Sequence, residues 1–178
     1  MIYFEIAFVV FLLGFIFWVG SHLFSSIFYV PAVDASKQAI GDALKFSELK
    51  KGEIFIDLGS GSGKVVILAN KKFGVRAFGF EISPFPYLLS KIKTLGNRNV
   101  KIYRGDFKKA EKLLKKADVV YLYLLNSVLD KIENWLFDSI SPKTRVVSLS
   151  FKFKNHKPLK TLPTINLGRK TKIRLYTK

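Results

Sequence analysis

The sequence predicts an α/β protein, a mostly parallel sheet alternating with helices and preceded by one N-terminal transmembrane helix. Three observations carry that prediction. From Ile6 to Val33 there is no Asp, Glu, Lys or Arg. Beyond that run, short apolar and β-branched stretches ending in an acid alternate with stretches of helical periodicity. The first of them, Ile54 to Leu58, leads directly into the alternating glycines Gly59, Gly61 and Gly63, a strand–loop–helix junction.

Each element follows from its residues. The uncharged run, continued as a helix, exceeds the roughly 20 apolar residues that a hydrocarbon core of about 30 Å requires. It is apolar all round from Ile6 to Val19, with Trp18, His22 and Tyr29 suited to an interface and Pro31 ending it. Asp34 or Ser36 can cap a helix over 36–49, which turns Ala39, Ile40, Ala43, Leu44 and Phe46 to the sheet and closes at Lys51-Gly52. The glycine loop opens a helix over 64–72. Strands are expected over 75–81 and 100–106, a short helix over 108–116 and a fourth strand over 118–124. Residues 128–140 form a helix with Leu129, Ile132, Trp135 and Leu136 on one face, followed by a fifth strand over 144–151. Residues 164–167 and 172–177, joined around Gly168-Arg169, form a closing hairpin with no helix between it and strand five.

The glycine loop carries the chemistry. Its spacing, Gly59-x-Gly61-x-Gly63 with Asp57 two residues upstream, differs from the G-x-G-x-x-G of dinucleotide sites. It resembles the first motif of class I methyltransferases, which bind S-adenosylmethionine (SAM). SAM presents an ammonium and a sulfonium rather than a pyrophosphate, so an acid at the strand end suits it. Glu81 ends the second strand at the spacing where a carboxylate binds ribose hydroxyls. Asp106 ends the third, where methyltransferases place an acceptor for the adenine amino group. All three acids then fall on one edge of a parallel sheet. The cofactor residues expected are Asp57, Gly59, Ser60, Gly61, Gly63, Glu81, Ile82, Asp106 and Phe107. No His/Cys/Asp metal spacing occurs.

Charge sets the orientation. All 30 Lys and Arg lie beyond Ala32 with 12 of the 13 acids, leaving the rest of the chain at +18. None precedes the span, so the positive-inside rule puts the amino terminus outside and the catalytic domain in the cytoplasm, at the cell membrane as a single-pass protein. A cleaved signal peptide would need a basic n-region, and the only charge ahead of the run is Glu5. A chain without cysteine fits a reducing compartment. A domain this basic is drawn to polyanions, and in a tethered chain the anionic membrane surface is favoured over nucleic acid. The paired lysines are read as solvated faces.

Taken together, these segments resemble the membrane-anchored protein-lysine methyltransferases that modify the adenine nucleotide translocase and the ATP synthase c-subunit. The resemblance rests on the span, Tyr29-Val30-Pro31-Ala32, the 56–64 loop, Gly79 to Pro84, and Arg145 to Phe153 with His156. It implies a Rossmann-like class I SAM-dependent methyltransferase fold in a minimal seven-stranded version. It also implies lysine side chains of a membrane-associated protein as acceptor. Ser62, often an acid in the family, and Leu125-Asn126, in place of a Pro-Gln-like pair, are departures. Tyr123 and Asn126 after strand four are the catalytic candidates, and Tyr29 and Pro31 close the substrate entrance. The expected division is anchor 1–30, entry segment and helix 31–53, and methyltransferase domain 54–178. Alternatives are methylation of a lipid head group or small amine, and a non-catalytic, basic, membrane-associated SAM-binding protein.

Overall fold

The computed structural model describes residues 1–27 and 34–178. Tyr29 and Pro31, expected at the entrance, lie outside the described residues, as does the expected end of the first helix. Helix α1 (Ile2–Ile27) contains a 20-residue stretch, Ile2–Ser21, long and apolar enough to cross a membrane, of which only Ser21, at its end, is buried in the protein.

Helix α2 (Lys37–Phe46) is capped by Ser36, whose Oγ accepts from the Ala39 amide at 3.1 Å. It ends earlier than expected, at Ser47, and Glu48 takes a left-handed φ of 55°. The sheet follows as β1 (Ile54–Leu58), α3 (Lys64–Phe73), β2 (Arg76–Glu81), α4 (Pro84–Lys93) and β3 (Val100–Arg104). It continues as α5 (Glu111–Leu114), β4 (Val119–Leu122), α6 (Asn126–Ser139), β5 (Arg145–Leu149), β6 (Lys160–Asn166) and β7 (Arg169–Tyr176). The strand order is β3-β2-β1-β4-β5-β7-β6, parallel except that β7 runs antiparallel to both its neighbours, β5 and β6.

Strand alternation divides the core in two. Phe55, Tyr121, Val147 and Leu175 face α2 and α3, whereas Ile56, Leu58, Val120, Leu122 and Val146 pack with Leu129 and Leu136 of α6. Burying each such side chain contributes about 1.5–3 kcal/mol, so a one-residue slip of any central strand would exchange both cores at once.

Three elements differ from expectation. Helix α4 fills a stretch to which no element was given; Pro84 starts it at a position where the missing N–H costs nothing. The helix expected over 108–116 splits into a 3₁₀ turn at Phe107–Ala110 and the single turn of α5. The hairpin strands are longer than expected, because β6 is an edge strand that tolerates Pro163. As expected, no helix lies between β5 and the hairpin: residues 150–159 are a loop.

Candidate active site

The sheet order reverses between β1 and β4, and at such a switch point the crevice beyond the strand ends takes the ligand. An open cleft lies there, lined by residues that include Asp57, Gly59, Ser60, Gly61, Tyr121 and Tyr123, with Asp34 and Lys64 also in its wall. Register explains who meets whom. Asp57 pairs across β1 with Gly79 on one side and Tyr121 on the other, so carboxyl and phenol share one face of the sheet.

Gly79 makes room for the loop. A Cβ there would stand 2.6 Å from Ser60 Oγ and 2.8 Å from Ile102 Cδ1. The loop can therefore fold back over β2, where the Gly59 and Ser60 amides both donate to the Phe80 carbonyl at 2.9 and 3.0 Å. Gly59 takes φ 87°, and a Cβ on it would meet Leu124 Cδ2 at 2.8 Å. Both positions need glycine for reasons of space.

Glu81 ties the loop to the next connection. Its carboxylate accepts from the Gly61 amide at 2.8 Å and the Ser83 amide at 2.7 Å while remaining 6% exposed. Those bonds fix the carboxylate but leave acceptor capacity on each oxygen. Asp57 is equally buried. Burial drives its carboxyl well above the usual carboxylate range, and the neighbouring Glu81 charge raises it further. Burial first, then Asp57 and Tyr123, likewise raise the Tyr121 hydroxyl.

The expected residues are not all equivalent in place. Asp57 and Glu81 are the last-but-one and last residues of β1 and β2, and Asp106 lies two residues beyond β3, so all three stand at the same end of adjacent strands. Asp106, however, is exposed and accepts from the Lys108 amide at 3.1 Å, capping the 3₁₀ turn. Phe107 packs half-buried on the α6-side core, and Ile82 is half-buried beside Glu81. Tyr123 lines the cleft, whereas Asn126 does not: it is exposed at the start of α6, in a shallow depression with Asp130, Lys152 and Lys154.

Two residues that bear on the cleft escaped the sequence reading. Tyr121 had a signal, since strand alternation puts it on the same face as Tyr123. Asn166 had none. Its Oδ1 accepts from the Ser36 amide at 2.8 Å, and its Nδ2 donates to Tyr123 Oη at 2.8 Å. The hairpin thereby joins the start of α2 to the tyrosine in the cleft. At the rim Lys64 Nζ meets Asp34 at 2.6 Å and holds that carboxyl below its ordinary value.

The cleft fits a cationic, hydroxyl-rich ligand. Among the described residues, Ser60 Oγ and Tyr121 Oη are buried polar atoms without a hydrogen-bond partner, and both border the cleft beside the Asp57 carboxyl. Residues 57–160 match the ANTKMT methyltransferase domain family. The chain belongs to that family. A Saccharolobus islandicus protein-lysine N-methyltransferase is 30% identical to it over 73% of this chain and 82% of that protein. The Mus musculus adenine nucleotide translocase lysine N-methyltransferase is also 30% identical over 73% of this chain, which spans only 57% of its length. Among solved structures, a Salinibacter ruber RNA methyltransferase bound to S-adenosylhomocysteine superimposes with a TM-score of 0.73 at 30% identity, covering 82% of this chain and 93% of that one. The methyltransferase is thus a SAM-dependent enzyme with a class I fold.

Proposed function

We propose that this methyltransferase transfers the methyl group of SAM to the Nε of lysine in a membrane-associated protein. In this reading residues 1–30 anchor it as a single pass, 31–53 form the entry segment and 54–178 the catalytic domain, on the cytoplasmic side. The lysine N-methyltransferase from Saccharolobus islandicus, similar over 82% of its length, is the observation that carries the acceptor class. The membrane reading is supported by the length and composition of the apolar stretch of α1, which is exposed up to its last residues.

The cofactor supplies a methyl already activated by its sulfonium, so the chain has to hold, align and dry the reactants. Asp57 receives the ammonium end and Glu81 the ribose, while Asp106 and Phe107 border the base. Ser60, Gly61 and Ile82 frame the loop. Lysine reacts only as the neutral amine, which a desolvated pocket favours. Tyr123 Oη, already accepting from Asn166, has a second lone pair to accept an N–H of that amine and point its lone pair at the methyl. Net, the lysine ammonium would release one proton to solvent before transfer, and its nitrogen would take the methyl while the cofactor's sulfur keeps the electron pair of the broken carbon–sulfur bond. Asn126 then serves the outer path, and Tyr29 and Pro31 the entrance.

Incubating the purified enzyme with methyl-labelled SAM and its own membranes tests this: label should appear as Nε-methyllysine. A second reading, RNA as acceptor, is favoured by the Salinibacter ruber neighbour and the +17 net charge. Adding total RNA to the same assay decides it, since label in nucleotides and none in lysine would replace the first reading with the second.

A further inference from the structure

Helix α4 is built the wrong way round for a helix facing water. Its inner side carries Tyr87, half-buried against the core, and the small polar Ser90 and Thr94, 0% and 8% exposed, with their hydroxyls satisfied by the helix's own carbonyls. Its outward side is apolar. Leu88, Ile92 and Leu95, in the closing turn, are 48, 56 and 77% exposed. With Phe85 they follow helical spacing and form one stripe. Lys91 and Lys93 fall on either side of it. The surrounding chain from Ile82 to Gly105 holds five basic residues and no acid.

That stripe begins where α1 leaves the domain. Phe17 of α1 meets Phe85 edge-on with ring centroids 6.2 Å apart, and the Phe85 amide donates to Ser21 Oγ at 3.1 Å. Residues 17 and 21 are at the C-terminal end of the apolar Ile2–Ser21 stretch, and the residues before them are exposed along their length. If α1 spans the bilayer, Phe85 therefore sits at the depth of the head groups.

We propose that α4 is a second membrane contact, an interfacial helix lying on the bilayer beside the span with Leu88, Ile92 and Leu95 in the acyl boundary and Lys91 and Lys93 on anionic head groups. An apolar face bordered by lysines is the composition that lies in the interface plane. This rests on reading α1 as a span. Its consequence is rotational: one helix anchors the domain but leaves it free to turn, whereas two contacts fix which way the cleft faces along the membrane.

Because the chain has no cysteine, single labels can be placed on the full-length enzyme. The positions are Leu95→Cys and Ile92→Cys on α4, Val10→Cys in α1, and Leu159→Cys on the far edge of the sheet, where Leu159 is 63% exposed. Each carries an environment-sensitive fluorophore in nanodiscs of phosphatidylcholine and phosphatidylglycerol, with SAM binding as the check of folding. The labels at 92, 95 and 10 should shift to the blue and be quenched by doxyl-bearing lipid, and the label at 159 by aqueous iodide alone. A quenched label at 10 with water-accessible labels at 92 and 95 overturns the interfacial helix and leaves the span standing. An unquenched label at 10 removes the span and the proposal with it. Labels at 92 and 95 shielded from iodide yet untouched by doxyl lipid would mean that protein covers the stripe, which also overturns it.

Discussion

The two halves of the sheet are held together by different kinds of interaction. On the cofactor side, β1 to β3, the bonds that shape the site are short in sequence: Glu81 reaches Ser83 two residues on and Gly61 twenty residues back. On the acceptor side they are long. Ser36 bonds to Asn166 across 130 residues, Asp42 to Thr164 across 122, and Tyr123 to Asn166 across 43. The cofactor half is a local motif that the chain rebuilds wherever strand, glycines and helix recur. In the proposed reading, the acceptor half exists only once the hairpin has closed on α2.

The largest expected effect breaks the cofactor half. Asp57→Asn removes the charge that faces the cationic ligand and should weaken SAM binding by about 2–5 kcal/mol, tens- to thousands-fold in Kd by calorimetry. The wild-type carboxyl sits high in the free protein and comes down when a cation binds, so affinity should rise with pH through its titration and that rise should be absent from Asp57→Asn. The same raised value means that the group's contribution to stability is intact below the ordinary 3.8 and is lost as pH climbs toward the folded value. Asp57→Asn should accordingly raise the ligand-free Tm at neutral pH.

The next effect breaks the acceptor half by unfastening its clasp. Glu133 of α6 is 1% exposed and accepts from the amides of Lys154, Asn155 and His156 at 3.1, 2.8 and 2.9 Å, and it meets His156 Nδ1 at 2.7 Å. The imidazole stacks on Phe137 with centroids 3.6 Å apart. This clasp holds the 150–159 loop that stands where a helix is missing. Glu133→Ala orphans three amides and should cost about 3 kcal/mol, roughly 10 °C in Tm by calorimetry. Burial pushes this carboxyl up, but His156 and the three amides outweigh it and hold it below the ordinary 4.5. The clasp is therefore at full strength above that value and should weaken as pH falls through the lower, folded one.

The cofactor side was legible because its chemistry coincides with strand ends: Asp57, Glu81 and Asp106 each follow a β-branched or aromatic run. The fold was legible for the same reason, since strand and helix periods alternate. What could not be read depends on register or on tertiary burial. Asn166 reaches Tyr123 only through the β6–β7 pairing, and Glu133 reads as a solvated helix position until the following loop covers it. Helix α4 was missed because its apolar residues face outward, so the usual contrast between an apolar inner face and a polar outer one is reversed. Asp106 was placed rightly on the sheet edge, but that its carboxylate is exposed and caps a turn depends on the local backbone and could not be read from the sequence.

A smaller change sharpens the comparison. Asn166→Ala removes one neutral hydrogen bond from Tyr123 and should lower kcat by about 1 kcal/mol, roughly fivefold, in a steady-state assay with saturating SAM. Restoring an amide with Asn166→Gln should recover part of it. The smallest effect is expected at the rim, where Lys64 and Asp34 side chains are 50 and 64% exposed. Lys64→Ala should cost at most about 1 kcal/mol by thermal unfolding, because exposed ion pairs are screened and mobile.

In the proposed function, cofactor binding and acceptor alignment reside in separate halves of one sheet. Calorimetric titration of SAM into the wild type, Asp57→Asn and Asn166→Ala, read beside turnover of the same three proteins on membranes, tests that separation without intermediaries. Asp57→Asn should lose binding and turnover together, whereas Asn166→Ala should bind SAM as the wild type does and turn over more slowly. Loss of SAM affinity in Asn166→Ala, or wild-type affinity in Asp57→Asn, would show that the two halves do not divide the work in this way.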